Sequence, residues 1–444
     1  MNPKIIVLDD DPTGSQTVHS CLLLTRWDVA TLRTALADAA PLFFVLTNTR
    51  GMDAARAAAV TREVCENLRL ALADYAGPVL FVSRSDSTLR GHYPVETDVM
   101  NAVLGPFDAT LLTPGFFEGG RITRDSTHYL MVDGEPVPTH ETEFARDSVF
   151  GYTTAYLPDY VAEKTGGRVA ARDVARLTLA ELRQGRAGAW LAALTNNDVG
   201  VVDGESPADY RTFADAVLRA AAGGKRLLFR SAASLLTALA KLPPQPVAAE
   251  AFATLVRDAR PGAVVVGSHV AKTTAQLTQL LKERGVVGLP LDVTRLPGER
   301  AAVADELTAS VAHAHAQGLT PVIFTSRREL KFASTAERLA FGEAVSGTLM
   351  DVVQRLPETL GFLISKGGIT SNDMLSTGLE LTASRVLGQI LPGVTVVQTP
   401  PWHRLPMLPV VIFPGNVGGE DALAEAYRRL APSRGEASPA KLAA

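Results

Sequence analysis

Short apolar runs recur along this chain, with Ala/Leu-rich stretches of helical period between them. Lys4–Leu8, Phe43–Thr47, Val79–Ser83, Ala109–Leu112, Val199–Asp203 and Arg226–Phe229 read as buried strands. So do Ala263–Gly267, Pro321–Thr325, Gly361–Ser365, Val394–Gln398 and Val410–Phe413. Asp53–Tyr75, Pro207–Ala222, Ala271–Arg284, Gly298–Ala316 and Thr335–Arg355 read as helices. Strand and helix in alternation predict an α/β chain built from βαβ units, with largely parallel sheets. The alternation breaks at Leu242-Pro243-Pro244-Gln245-Pro246-Val247, where three prolines favour an extended linker. With 444 residues, too many for one ordinary core, two domains are expected: 1–241 and 250–431, joined by the linker 242–249. The tail 432–444, rich in Ser, Pro, Ala and Gly, is expected to be disordered. Thr113–Tyr152 shows little period but carries Phe116, Phe117, Tyr129, Phe144, Phe150 and Tyr152; it reads as an ordered flap or β-rich insertion.

Several of the strands end in polar clusters, and in open α/β sheets ligands bind at the carboxyl ends of strands. The first strand runs into Asp9, Asp10 and Asp11, then the turn Pro12-Thr13-Gly14. Three adjacent carboxylates repel one another and need a cation, a proton or hydrogen-bond donors to be held together. After the strand at Val79 comes Ser83-Arg84-Ser85-Asp86-Ser87-Thr88-Leu89-Arg90-Gly91-His92. Arginine grips a carboxylate bidentately, while Asp, Ser and Thr hydrogen-bond hydroxyls, so this cluster suits a carboxylated polyol. In the second half, Ser365-Lys366-Gly367-Gly368-Ile369-Thr370 and Phe413-Pro414-Gly415-Asn416-Val417-Gly418 each turn from strand to helix through glycine, the layout of a phosphate cradle. Val266-Gly267-Ser268 before Ala271 is a third such junction, with Ser268 as a hydroxyl donor. It lacks the second glycine of a P-loop.

Charge and cysteine count narrow the classes. A net charge of −4 without basic runs argues against a nucleic-acid partner. Two cysteines, Cys21 and Cys65, build neither a disulfide framework nor a cysteine-based zinc site, and fit a reducing cytoplasm. No segment is apolar and long enough to span a bilayer, and the first residues lack the pattern of a signal peptide. His313 and His315 lie two apart, on different faces of a helix; His269 and His403 are scattered; Arg327-Arg328 reads as a solvated turn. No residue is assigned as a metal ligand.

In family order and over nearly the whole chain, these clusters resemble the four-carbon acid sugar kinases. Asp10-Asp11-Pro12-Thr13-Gly14 is similar to that family's D-D-L-T-G, and Asp86-Ser87-Thr88-Leu89-Arg90-Gly91 to its D-S-T-L-R-G. Gly119-Gly120-Arg121 and Glu141–Asp147 stand where the family has N-G-R and E-T-x-F-x-R-D. Gly267-Ser268, Gly367–Thr370 and Gly415–Gly418 stand at its S-G-S, G-G-[DE]-T and S-G-N-F-G turns. The resemblance implies an acid-sugar-binding first domain, an ATP-binding second domain and a reaction site in the cleft between them. It implies nucleotide contacts from Ser268, Gly367, Gly368, Ile369, Thr370 and Gly415. Three departures stand out: Ile369 replaces an acidic residue, Phe413-Pro414 replaces Lys-Ser, and Gln16-Thr17-Val18-His19 replaces smaller residues. The last points to a different acid or an altered activity.

The expected activity is phosphorylation of a hydroxyl of a tetronate-like acid such as threonate, erythronate or a 3-oxo-tetronate, with ATP and Mg²⁺. Asp10 and Asp11 are the expected catalytic carboxylates, one orienting or deprotonating the attacking hydroxyl and the other available to Mg²⁺. Thr13, Arg84, Asp86, Ser87 and Arg90 are the expected acid-binding residues, with Arg84 or Arg90 on the substrate carboxylate. Two rivals stand beside this reading. Asp9-x-Asp11-x-Thr13 also fits the nucleophile motif of haloacid-dehalogenase-like phosphatases, and the changed turns fit a non-catalytic nucleotide or sugar-acid sensor. The expected partners are small molecules, with no nucleic acid and no membrane; a homodimer is left open.

Overall fold

The computed structural model describes residues 3–268, 270–326, 332, 334–415 and 417–431. His269, the pair Arg327-Arg328, Asn416 and the tail 432–444 lie outside the described residues. The chain divides into two compact units, Met1–Pro244 and Gln245–Ala444. Both are mixed α/β with largely parallel sheets, as the alternation of runs predicts.

The first unit carries strands β1 (Lys4–Asp9), β2 (Leu22–Leu24), β3 (Leu42–Leu46), β4 (Val79–Arg84), β5 (Ala109–Thr113), β6 (Arg121–Arg124), β7 (Thr127–Val132), β8 (Glu135–Pro138), β9 (Ala175–Leu177), β10 (Asp198–Val202) and β11 (Leu227–Ser231). Its main sheet runs β2-β3-β1-β4-β11-β5-β10-β9, and every pairing described in it is parallel. Parallel strands covered on both faces read as unbroken apolar runs rather than alternating ones. Ile5, Ile6, Val7, Phe43, Phe44, Leu80, Val82, Leu228 and Phe229 are accordingly all buried, each contributing roughly 1.5–3 kcal/mol. The helix Ala54–Ala71 starts where Asp53 accepts the Arg56 N–H at 2.8 Å, and it buries Ala57, Val60, Val64, Cys65 and Leu68 at helical spacing. The aperiodic segment after β5 contains the antiparallel sheet β6-β7-β8, the β-rich insertion expected there.

The second unit carries β12 (Ala263–Val266), β13 (Val286–Pro290), β14 (Thr320–Phe324), β15 (Leu363–Lys366), β16 (Ala383–Leu391), β17 (Val394–Gln398) and β18 (Pro409–Phe413). The order β13-β14-β12-β15-β18 is parallel, then β17 and β16 continue antiparallel. Its core packs Val264, Val266, Phe362, Ile364, Val396, Val411 and Phe413 with Leu423, Tyr427 and Leu430 of the helix Ala422–Leu430. Among the described residues no helix is long and apolar enough to cross a membrane.

Register places the chemistry. Asp9 of β1 lies opposite Leu46 of β3 and Arg84 of β4, and Arg84 lies opposite Ser231 of β11. Four strand ends therefore deliver their next residues to one edge. The turn after β1 closes tightly: a Cβ on Gly14 would stand 2.0 Å from Asp9 Oδ2. Gly14→Ala should therefore lower the free energy of unfolding by about 1–3 kcal/mol in urea titrations followed by circular dichroism. Gly188→Ala, in the helix Ala187–Ala193 with open space around the new methyl, should be neutral or stabilising by about 0.5–1 kcal/mol.

Candidate active site

Asp9, Asp10 and Asp11 leave β1 with little water to share: Asp9 and Asp10 are buried, and the Asp11 side chain is 21% exposed. Two guanidinium groups meet them. Arg84, on the neighbouring strand end, sets Nη1 3.3 Å from Asp9 Oδ1 and 3.8 Å from Asp10 Oδ1. Arg50, in the turn after β3, donates through Nη2 to Asp10 Oδ1, through Nε to Asp10 Oδ2 at 3.2 Å, and through Nη1 to Asp11 Oδ2 at 3.4 Å. Ser85 adds a hydrogen bond to Asp10 Oδ2 at 2.6 Å. Three carboxylates thus face two guanidiniums.

The imbalance falls on Asp9. Burial pushes its carboxyl up to about 7, with Arg84 only partly opposing and Asp10 and Asp11 adding repulsion. Its Oδ2 makes no hydrogen bond, packed instead against Gly14. Asp11 behaves oppositely. Burial alone would raise it, but Arg50, Arg84 and hydrogen bonds from the Thr13 N–H (2.8 Å) and hydroxyl hold it below the usual carboxylate range. Asp11 is therefore the ionised, partly exposed member of the three.

The loop after β4 is held from several sides. Asp86 accepts from Thr88 Oγ1 and from Arg90 Nε at 2.8 Å. Burial opposes its charge, but Arg50, Arg90 and Thr88 keep it well below the ordinary range. The Ser87 carbonyl accepts from His128 Nε2 at 2.7 Å, the Thr88 carbonyl from Tyr152 at 2.8 Å and the Leu89 carbonyl from Tyr160 at 2.8 Å. These three partners, from the insertion and the helix Leu157–Lys164, support Leu89 at φ +66°, a left-handed conformation that costs about 1–2 kcal/mol outside glycine. Arg230 on β11 ties Ser83 (2.7 Å), Ser85 (2.8 Å) and Glu96 (2.6 Å) together. Beside this loop a small, open pocket is lined by Ser85, Asp86, Arg90 and Arg230 on its polar side and by Leu89, Leu112, Pro114, Tyr160 and Ala232.

The first unit thus brings Asp10, Asp11, Thr13, Arg84, Asp86, Ser87 and Arg90 to one edge of one sheet. Only Asp86 and Arg90 of these line the pocket; Arg84 is committed to Asp9 and Asp10. Sequence reasoning missed Arg50 and Arg230. Arg50 had a usable signal, since Thr47-Asn48-Thr49-Arg50 follows a strand as the other clusters do. Within Gln16–His19, Thr17 hydrogen-bonds with Ala233 and Thr237 of the helix Ala233–Ala240, and His19 Nε2 lies 2.8 Å from the Pro243 carbonyl.

In the second unit three turns adjoin. A Cβ on Gly267 would stand 2.1 Å from Thr370 Oγ1, and one on Gly367, at φ +114°, 3.3 Å from Ser268 Cβ. Thr273 Oγ1 reaches Ser268 Oγ and the Gly415 carbonyl, both at 3.4 Å. Gly368 opens the short helix Gly368–Asp373, and Ile369 projects into solvent. Ser268, Gly367, Gly368, Thr370 and Gly415 therefore surround one spot, with Ile369 at its outer side. Beneath it lies Lys366, with no solvent exposure. Its ammonium donates to the carbonyls of Pro414 and of Gly415 (3.2 Å) and sits 4.3 Å from the Phe413 ring centre. Among the described residues no carboxylate pairs with it. Burial, helped by repulsion from Lys272, pushes it down to about 7.

Family comparison matches residues 5–239 to a sugar-binding N-terminal domain and residues 263–423 to a nucleotide-binding C-terminal domain. The chain belongs to the four-carbon acid sugar kinase family. Within that family it is 29% identical over 220 residues to a D-erythronate kinase of Heliobacterium modesticaldum, covering 48% of this chain and 47% of that one. It is 33% identical over 164 residues to a D-threonate kinase of Bordetella bronchiseptica, covering 35% and 38%. The matches thus span less than half the length of either relative. Two solved structures share the fold: a Haemophilus influenzae protein (TM-score 0.65, 17% identity, covering 96% of this chain and 100% of that one) and a protein of Salmonella typhimurium LT2 (0.68, 20%, 96% and 98%).

A proton held by Asp9 has a measurable consequence. Between pH 4 and 7 the folded chain keeps this proton while an unfolded carboxyl, near 3.8, has lost it. Asp9 therefore favours the fold most below pH 4, and that contribution is lost as pH rises through 7. Relative to Asp9→Asn, the wild-type chain should lose stability from pH 4 to 7 and change little above; equal pH profiles for the two proteins would refute the assignment.

Proposed function

We propose that this chain is an ATP-dependent kinase that phosphorylates a hydroxyl of a small sugar acid of the four-carbon, tetronate class. The observation that carries the reading is a division of charge. The first unit gathers carboxylates and guanidiniums beside an open pocket, while the second gathers glycine turns over a buried ammonium that, among the described residues, has no carboxylate partner. The names of the two kinase relatives support the same chemistry.

Phosphoryl transfer calls for positioning and charge neutralisation more than covalent catalysis. Asp86 and Arg90, on the pocket wall, suit the hydroxyls of the acid. Asp11, ionised and partly exposed, suits the attacking hydroxyl, with Asp10 and Arg50 fixing its place. Backbone N–H groups at Gly368 and Gly415, with Ser268 and Thr370, suit the phosphates, and Lys366 supplies positive charge beneath them; the Gly367 N–H is held by the Phe413 carbonyl at 2.9 Å. Lys366 lies in register with Phe413 on the neighbouring strand, so a lysine stands beside Phe413-Pro414 although none stands in it. Mg²⁺ takes most of its ligands from phosphate and water, with one or two carboxylates. Among the described residues no three His, Cys, Asp or Glu side chains converge on a cation site, and Asp11 is the carboxylate placed to contribute. When bound, the ion would neutralise the triphosphate.

The phosphatase alternative needs an exposed nucleophile at Asp9. That carboxyl is fully buried behind Gly14 and turned toward Arg84, which speaks against it. A coupled ADP-release assay over four- to six-carbon aldonic acids separates the readings. Acid-dependent ADP release is expected, with four-carbon acids best. Phosphate release from a phosphorylated acid without nucleotide would point to the phosphatase, and nucleotide binding without turnover to the sensor.

Lys366 makes a second test. Lys366→Met should weaken binding of a non-hydrolysable ATP analogue about tenfold or more, as expected for loss of a charge-assisted contact, and leave acid binding unchanged. Since the amine loses its proton near pH 7, wild-type affinity for the analogue should fall as pH rises from 6 to 8.5. The methionine variant should show a flatter profile over the same range.

A further inference from the structure

Five arginines crowd the acid-binding edge of the first unit, and four are already spoken for. Arg50 pairs with Asp10 and Asp11, Arg84 with Asp9 and Asp10, Arg90 with Asp86 and Asp147, and Arg230 with Glu96. A guanidinium held by a buried carboxylate must break that pair before it accepts another, and leaving a buried charge unpaired is strongly unfavourable. Arg121, the first residue of β6, differs. Among the described residues it makes no ion pair. Its Nη1 donates to the Gly119 carbonyl two residues back, its guanidinium carbon lies 5.8 Å from the Phe116 ring centre, and its Nε is buried without a partner.

The group is near the pocket in two ways. It feels attraction from Asp86 and repulsion from Arg90, both pocket residues. The Phe116 ring beneath it packs on Ala232, which lines the pocket wall. The arm also has little holding it where it is: one neutral carbonyl within its own turn and the face of one ring. A half-buried cation with an unmet donor and, among the described residues, no ion-pair partner is incomplete in the way a carboxylate would complete.

We propose that Arg121 is the carboxylate reader of this site: its guanidinium leaves the Gly119 carbonyl and takes the carboxylate of the bound sugar acid in a two-pronged contact. The proposal rests on the acid-kinase reading above and deepens it, since it makes the choice of acid over neutral polyol a property of one side chain on the β6-β7-β8 insertion. Arg90 and Asp86 then remain paired and serve the hydroxyls.

The test uses the full chain, steady-state kinetics and three substrates: ATP, the best aldonic acid of the panel, and the polyol of the same carbon number. Arg121→Gln should raise KM for the acid tenfold or more, leave KM for ATP within twofold, and collapse the preference in kcat/KM for acid over polyol. Arg121→Lys, which keeps the charge and most of the packing but loses the planar fork, should fall between. It also keeps the proposal open to test if the glutamine variant folds poorly by circular dichroism. If both variants keep the wild-type preference, or if acid and polyol lose activity in parallel, Arg121 only pins the insertion and the proposal is overturned. A wild-type chain that neither binds nor phosphorylates any aldonic acid would instead overturn the underlying kinase reading, and this proposal with it.

Discussion

Three consecutive carboxylates ending a buried strand are the constraint around which the first unit is arranged. Unpaired, they would each cost several kcal/mol to remove from water. The parallel sheet solves this by register. Because β1 is flanked by β3 and β4, the residues that end or follow those strands arrive at the same edge, and two of them are Arg84 and Arg50. Gly14 lets the next turn close over Asp9, whose carboxyl burial pushes up to about 7. The ionised carboxylate left nearest to solvent is Asp11.

The second unit inverts that arrangement. There the strand ends carry glycines and hydroxyls rather than acids, and among the described residues the buried ammonium of Lys366 meets carbonyls and a ring face but no carboxylate. Partial negative charge on carbonyl oxygens does not neutralise an ammonium. The spot among Ser268, Gly367 and Gly415 is consequently electropositive and open to close backbone approach, which suits a polyphosphate. Acids with arginines in one unit stand against a lysine that, among the described residues, has no carboxylate partner in the other.

Much of this was legible in the residues. Fold class followed from the alternation of apolar runs and helical stretches, and strand runs such as Val394–Gln398 and helices such as Pro207–Ala222 have the bounds the pattern indicates. The rule that chemistry collects at the carboxyl ends of parallel strands picked out Asp10, Asp11, Asp86 and Arg90 from one chain. Strands β2, β9, β13 and β16 were not read. The first two have three residues each, too short for a period to show; β13 is interrupted by Gly288 and ends on Pro290, and β16 carries Gly388 within a run that mixes apolar and polar positions.

What the sequence determined by itself is which residue types end which strands, because apolar runs and turn residues are local signals. Tertiary structure decided which of those residues already satisfy one another. Arg84 and Arg90 look alike in sequence, yet one is buried on Asp9 and Asp10 and the other lines the pocket beside Asp86. Arg121 sits in an insertion with no strand-end signal; the resemblance marks its turn, but only the pairing of the other four arginines sets its guanidinium apart from theirs. Lys366 is an ordinary lysine in sequence, and only the register of β15 against β18 puts its ammonium under the Gly415 turn. Neutralisation is a pairwise property acting over a few ångströms, between residues separated by tens to hundreds of positions, so no local pattern can encode it.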